Sequence, residues 1–390
     1  MVYEKDERDS VRPRKWNMGL HWAAPALKAL IPEEMFAQLQ TAQVDPHTPT
    51  KDVDTLRFLN GRTGEITGGI EVKKFYRFQR GRLRNLLAEG LNIKWGKTLS
   101  QITYSDDGGQ VTAHLMDGTE DTGSTLVGAD GPQSQVRDLL VGSEPTKTVP
   151  IGFAATMCFN QLPRDKALFL RSEPFHPLYQ CAPHPNGYFA WLGVHDIPDP
   201  DDPESWTFFH YISFPESSEA SSDKTDKSPA EGVAYQKELA KQFADPFKSA
   251  FEWMPKDATQ AWYGKLRHWD PEAPGHKWDN HGGRVTLAGD AAHPMTFQRG
   301  QGLNHAVLDS LKLCEAIKSC CHAAEGFKVQ RRRDTIDEYE KEMVMRSGEE
   351  VRLGEINSKM MHDWTRVRES PVLKKGMGMR IQERNEEATP

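Results

Sequence analysis

Cysteine is scarce in this chain: five residues among 390, with no metal-ligand spacing and no pairing pattern. That excludes a disulfide framework and a zinc ribbon, and it points to a reducing, cytoplasmic setting. Long apolar runs are also missing. None reaches the ~18 residues that span a bilayer, so no membrane span is expected. The start, Met1 to Ser10, is heavily charged and does not read as a secretory signal. Nor does one sign of charge dominate. With 49 Lys and Arg against 56 Asp and Glu, the formal net charge is -7, which argues against nucleic acid as the main partner. What remains, 37% hydrophobic and 27% charged residues, describes a globular protein able to bury a large core. At roughly 150 residues per domain, the length allows two or three domains or one large enzyme fold with insertions.

No internal repeat is visible. Pro215 to Glu231, rich in Ser, Lys, Asp and Glu, reads as a solvated loop. Thr55 to Asn60 and Gly64 to Gly69 flank a Gly61-Arg62-Thr63 turn and predict a hairpin. Tyr188 to Val194 and Trp206 to Phe214 are aromatic-rich and predict paired strands. Arg80 to Glu89 predicts a helix with Leu83, Leu86 and Leu87 on one face. Gln330 to Glu350 reads as a surface helix, with Arg331 to Arg333 as a solvated charge run, and the tail Gln382 to Pro390 as frayed. The order is mixed α/β, with an antiparallel block between about Pro150 and Trp269.

Two segments share a shape. Ser124-Thr-Leu-Val-Gly-Ala-Asp130-Gly131 and Arg284-Val-Thr-Leu-Ala-Gly289-Asp290 are both short apolar strands ending in an acid. In open α/β sheets ligands bind beyond the carboxyl ends of the strands, where a carboxylate can accept hydrogen bonds from ligand hydroxyls. Either segment alone reads equally as a turn. After Asp290 comes Ala-Ala-His293-Pro-Met-Thr-Phe-Gln-Arg-Gly300-Gln301-Gly302-Leu303-Asn304, and apolar residues then continue at helical spacing from Ala306 to Ile317. The glycines let backbone approach a flat ligand, and the helix start offers free N–H groups with a partial positive charge.

This second run resembles the second FAD-binding motif of the single-component flavoprotein monooxygenases, the aromatic hydroxylase or group A family. Gly128-Ala-Asp130-Gly131-Pro-Gln-Ser134-Gln-Val136-Arg137 resembles that family's other signature. Two long motifs in the family's order make a specific signal. The resemblance covers Val2 to about Ile317. It implies that Gly289 and Asp290 serve the ribityl chain of FAD, and that Gly300 turns the backbone toward the cofactor. It also implies that N–H groups of Gly302, Leu303 and Asn304 face the flavin pyrimidine edge. Arg80 resembles the family arginine that contacts FAD, and Asp130 and Arg137 resemble residues serving FAD and NADPH. Glu4, ending Val2-Tyr3-Glu4, resembles the acid that binds the adenosine ribose.

The start departs from the family pattern. A Gly-x-Gly-x-x-Gly turn belongs about 20 residues before the ribose acid, and Glu4 has three residues before it. Gly61, Gly64, Gly68 and Gly69 have the wrong spacing, and Gly96-Lys97-Thr98 lacks the earlier glycine of a phosphate loop. The expectation is an incomplete chain, with the first strand and the pyrophosphate cradle missing. Phe297 stands where the family has proline.

The expected fold is therefore an FAD/NAD(P)-binding, doubly wound three-layer α/β domain with an inserted, mostly antiparallel β substrate domain. The FAD domain is assigned to 1–45, 76–148 and 275–325, the substrate-covering domain to 46–75 and 149–274, and a C-terminal helical extension to 326–390. The resemblance implies that NADPH or NADH reduces FAD. A flavin hydroperoxide then passes one atom of molecular oxygen to a small, electron-rich aromatic substrate, by hydroxylation or epoxidation. A halogenase or reductase on the same fold is the alternative, as is an inactive fragment. His293 beside Asp290 suggests a dyad, but without a nucleophile elbow a structural role is favoured. Cys314, Cys320, Cys321 and His322 read as helix packing, not zinc ligands. No catalytic acid or base is named by sequence, and no metal is expected.

Overall fold

The computed structural model describes the chain except for residues 9–16, 174, 217–227, 256–260, 323–325, 328 and 379–390. The expected solvated loop lies largely, and the expected frayed tail wholly, outside the described residues.

A seven-stranded sheet dominates the middle of the chain. Its spatial order is Ala261–His268, Val149–Gln161, Thr207–Pro215, Phe189–Asp196, Tyr179–Pro183, Val53–Leu59, Ile66–Lys73. Neighbours run antiparallel, except for the Tyr179–Pro183 and Val53–Leu59 pair, which is parallel. The expected hairpin forms, closed by Asn60 N–H to Glu65 O (2.7 Å) and Gly64 N–H to Asn60 O (2.8 Å). Strand alternation sorts the aromatic residues. Phe208, Ile212 and Phe214 face one core with the helices Pro229–Ala240 and Phe247–Glu252. Phe189, Phe209 and Tyr211 face a second core, where Trp191 and Phe297 also pack.

The remaining strands are short. Leu126–Gly128 pairs in parallel with Val285–Leu287, and Val2–Tyr3 with Ile93–Lys94, as separate ladders. Asn17–Leu20 runs antiparallel to Tyr76–Gln79. Arg80–Ala88 is helical as expected, its first turn capped by Gln79, whose side chain accepts from the Arg82 N–H.

The segment expected as a surface helix is a 33-residue helix, Val329–Met361, and much of it is interior. Arg332, expected to be solvated, is 1% exposed and donates to the carbonyls of Gly108, Gly109, Ser124 and Gly282. Tyr339 donates to Leu287 O (2.8 Å). Ile336, Tyr339 and Met343 bury against Val285 and Leu287. The arginine can be interior because its planar donor fork matches several carbonyls at once. Charge counting along a helix does not register such partners.

Candidate functional site

The two look-alike strand ends are neighbours. Gly128 registers with Leu287, and Ala288 N–H donates to Gly128 O (2.9 Å). Gly128 has to be glycine: a Cβ there would stand 2.7 Å from Val136 Cβ and 2.8 Å from Leu287 Cδ2, so strand and following helix pack backbone to side chain. Beyond the strand, Gly289 takes φ 62° and opens a short turn, Gly289–Ala291. This turn places Asp290 just beyond the strand end. Solvent reaches the Asp290 side chain, yet protein surrounds it. Burial raises its carboxyl above the usual range, opposed by the neighbouring His293, Arg80 and Arg137. Arg80, at the start of its helix, is thus electrostatically coupled to Asp290.

Across from Asp290 lies the start of the helix Gly302–Cys320. Gly300 adopts the left-handed conformation, φ 64°, after the turn Phe297–Arg299. A Cβ on Gly302 would lie 3.8 Å from Asp290 Oδ1, so the carboxylate and the helix start share one space. No side chain caps the first turn, which leaves its N–H groups to a ligand. Leu303 packs against the cluster of Leu20, Ala24 and Phe78. The Asn304 side chain clamps the neighbouring turn: Oδ1 accepts from His21 N–H (3.0 Å) and Ala23 N–H (3.3 Å), and Nδ2 donates to Gly19 O (3.0 Å) and Gly300 O (3.1 Å). Only its backbone N–H is left for a cofactor. An exposed carboxylate, a side-chain-free glycine beside it and an uncapped helix N-terminus suit the hydroxyls and heterocyclic edge of FAD.

Asp130 and Arg137 are brought to this region but are heavily engaged. Asp130 accepts from Ser134 Oγ and from the N–H groups of Gln135 (2.7 Å) and Val136 (3.2 Å), neutralising the start of the helix Gln135–Val141. Arg137, 1% exposed, lies 4.8 Å over the Trp269 ring and donates to four carbonyls. These belong to Ala291 (2.8 Å), Asp290 (3.4 Å), Pro132 (2.7 Å) and Thr146 (3.2 Å). It therefore ties the first motif to the Asp290 turn. Glu4 ends the strand Val2–Tyr3. Its N–H donates to Lys94 O (2.9 Å), its carbonyl accepts from Lys97 N–H (2.9 Å), and its side chain accepts from Asp6 N–H (3.0 Å). Lys97, of the imperfect phosphate-loop run, pairs with Asp117.

Asp309 is the residue that sequence reading missed. It is fully buried in the helix Gly302–Cys320. Its Oδ2 accepts from Gly289 N–H (2.8 Å) and meets His293 Nε2 (2.6 Å), and its Oδ1 accepts from Arg346 Nη2 (2.7 Å). Burial works against the charge, but His293 and Arg346 outweigh it and hold the carboxyl well below the usual carboxylate range. Arg346 also binds His305 Nδ1 (2.7 Å) and Glu342 (2.8 Å). His293 is thus a partner of Asp309. The signal was available in the spacing: His305, Asp309 and Leu313 lie one helical turn apart, which places two polar residues on a buried face. Phe297 stacks on Trp191 (6.1 Å, 19°) and meets Tyr211 edge-on (5.1 Å, 86°), so the loop before the helix start touches the seven-stranded sheet. Among the described residues no cluster suited to a metal ion occurs, and no helix is long and apolar enough to cross a membrane.

Residues 256–350 match the FAD binding domain family. The chain is 35% identical over 379 residues to the FAD-dependent monooxygenase cctM of Talaromyces islandicus, covering 97% of this chain and 91% of that protein. It is 34% identical to the FAD-dependent monooxygenase phnB of Penicillium herquei, covering 96% and 88%. Among solved structures, Klebsiella pneumoniae HpxO complexed with FAD and uric acid superposes with a TM-score of 0.69 at 15% identity, covering 99% of this chain and 88% of that one. The 2,6-dihydroxypyridine-3-hydroxylase of Arthrobacter nicotinovorans gives 0.65 at 16%, covering 90% and 84%. These structural likenesses extend the α/β flavoprotein fold to the whole chain. The sequence relatives, similar over nearly the full length of both partners, go further: the chain belongs to the FAD-dependent monooxygenases.

Proposed function

We propose that this FAD-dependent monooxygenase uses NADPH or NADH and molecular oxygen to hydroxylate or epoxidise a small, electron-rich aromatic substrate. The observation that carries this reading is the contact between the helix-start loop and the sheet. Phe297, Trp191 and Tyr211 form an aromatic wall beside the Gly300–Gly302 turn, and flat aromatic ligands stack on such walls.

When bound, FAD supplies the electron storage and oxygen activation that no side chain here can provide. Asp290 would accept hydrogen bonds from the ribityl hydroxyls, and Arg80 would balance its charge. The uncapped N–H groups of Gly302, Leu303 and Asn304 present the positive end of a helix dipole, which favours negative charge on a ring placed there. Arg137 and Asp309 hold the Gly289–Asp290 turn in position. The rings of Phe297, Trp191 and Tyr211 exclude water from one side of the site, which limits unproductive loss of activated oxygen.

The test is turnover under labelled oxygen gas. NAD(P)H oxidation is expected to be slow alone and faster with the true substrate, and the product is expected to gain one labelled oxygen atom by mass spectrometry. Label arriving only from water, or incorporation of chloride, would assign the chain to another reaction.

A further inference from the structure

We propose that Glu350 is a positioning residue for the FAD site: through Arg299 it fixes the loop 296–301, so that FAD binds tightly only while this pair is ionised. The inference rests on the reading above that places FAD at the start of the helix Gly302–Cys320, and it adds the part of the molecule that holds this start in place.

The loop contains the turn Phe297–Arg299 and Gly300, and it runs into the first turn of the helix. Its polar side chains are met by the C-terminal part of the chain. Ser358 Oγ, on the helix Val329–Met361, lies 2.7 Å from Gln298 Oε1 and 3.1 Å from Thr296 Oγ1. Gln301 Nε2 donates to Met377 O (3.0 Å). Helix and loop approach so closely that a Cβ on Gly354 would stand 2.9 Å from Thr296 Oγ1. One contact in this seam is ionic: Arg299 Nη1 donates to Glu350 Oε1. Arg299 is 3% exposed and Glu350 8%. Arg299 Nε has no acceptor among the described residues.

A buried ion pair is a poor source of stability, because desolvation offsets most of the attraction; what it adds is a fixed register between the two elements that carry the charges. The desolvation is visible here: burial raises the Glu350 carboxyl to about 7, opposed by Arg299. Other charged neighbours do not replace Glu350. Glu349, next along the helix, adds like charge. Arg346, one turn back, is committed to Asp309 and Glu342. His21 and His305 both feel the charge of Arg299, and burial keeps both neutral; His21 Nε2 lies 3.3 Å from Gly300 O. Among the described residues, Glu350 is the one carboxylate paired with Arg299. Protonating it leaves an interior cation without a counter-ion, directly before the left-handed turn at Gly300 that leads into the helix start. FAD binding and ionisation of Glu350 therefore favour each other, and the coupling is reciprocal.

The test measures FAD affinity of the full chain by equilibrium dialysis without NAD(P)H, from about pH 5.5 to about pH 8.5, with flavin absorbance as the readout. The affinity of the unaltered enzyme is expected to fall toward acid. Glu350→Gln mimics the protonated carboxyl. It is expected to bind FAD roughly tenfold more weakly than the unaltered enzyme at the alkaline end, one pKa unit of coupling, and about equally at the acid end. Taking the two affinities as a ratio cancels groups common to both, Asp290 included. Arg299→Gln breaks the pair from the other side and is expected to lose the same pH dependence, and Arg299→Lys to keep part of it; if one variant does not fold, another carries the test. A ratio that stays constant across the range, whatever its size, would leave Glu350 a structural role only and overturn the proposal. An unaltered enzyme whose FAD affinity does not fall toward acid would do the same, and that measurement needs no variant to fold. Asp290→Ala in the same dialysis separates the two readings. Unchanged affinity there would remove FAD from this helix start, whereas weakened affinity beside a constant Glu350→Gln ratio would sink the positioning role alone.

Discussion

Replacing Asp309 with Asn tests whether this buried carboxylate organises the cofactor turn. The change keeps the shape and removes the charge. It weakens the acceptor for Gly289 N–H and for His293, and it takes away a counter-ion of Arg346, which is itself 3% exposed. Breaking a buried ion pair from one side costs about 3–5 kcal/mol. Glu342, which also pairs with Arg346 (2.8 Å), keeps part of the compensation, so the lower end, about 3 kcal/mol, is expected. Urea unfolding followed by fluorescence measures the loss, and the same samples report FAD release by filtration. FAD affinity should fall as well, because Gly289 donates to Asp309 and directly precedes Asp290. Asp309→Asn combined with Arg346→Met removes both charges and is expected to recover part of the stability. A loss below about 1 kcal/mol for Asp309→Asn, or a double variant as unstable as the sum of the singles, would refute the reasoning.

Asp290→Ala should weaken FAD retention by about 1.5–3 kcal/mol, roughly ten- to a hundred-fold, as one charge-assisted hydrogen bond is lost; unchanged retention on dialysis would remove Asp290 from the site. Gly128→Ala forces a Cβ against Val136 and Leu287 and should cost about 1–3 kcal/mol, whereas Gly118→Ala, where a Cβ meets nothing within 4 Å but φ is 82°, should cost only backbone strain; equal packing rearrangement in the two, seen by near-ultraviolet dichroism, would contradict the close approach. His362 is buried against Ser213 and Phe153, and burial lowers its pKa to about 4 despite its bonds to Ser358 O and Ser213. The unfolded chain then binds the extra proton, so stability should be full above about pH 6.5 and fall as pH drops toward 4, by at most about 3 kcal/mol from this group. His362→Gln should flatten that slope in acid melts, and an unchanged slope would show that His362 does not set it.

Local pattern carried the sequence reading a long way. Alternating aromatic residues and glycine turns predicted the hairpin of Thr55–Asn60 with Gly64–Gly69 and the pairing of Tyr188–Val194 with Trp206–Phe214, because a strand's two faces follow directly from a period of two. The strand–glycine–helix grammar around Asp290 and Gly302 was equally legible, since backbone conformation there depends on the glycines themselves. Tertiary structure decided which partner each polar group found. The oxygens of Asp130 meet a helix start four to six residues on; Arg332 reads as solvated, yet carbonyls from three separate stretches surround it. Asp309 and Arg346 lie on different helices and become one ion pair only when these pack. The rings that surround Arg77, of Tyr179, Trp191 and Phe209, come from strands far from it in the chain. A residue's propensity is written in its neighbours along the chain, but the cost of burying a charge is set by atoms distant in sequence, and only the folded molecule brings them within reach.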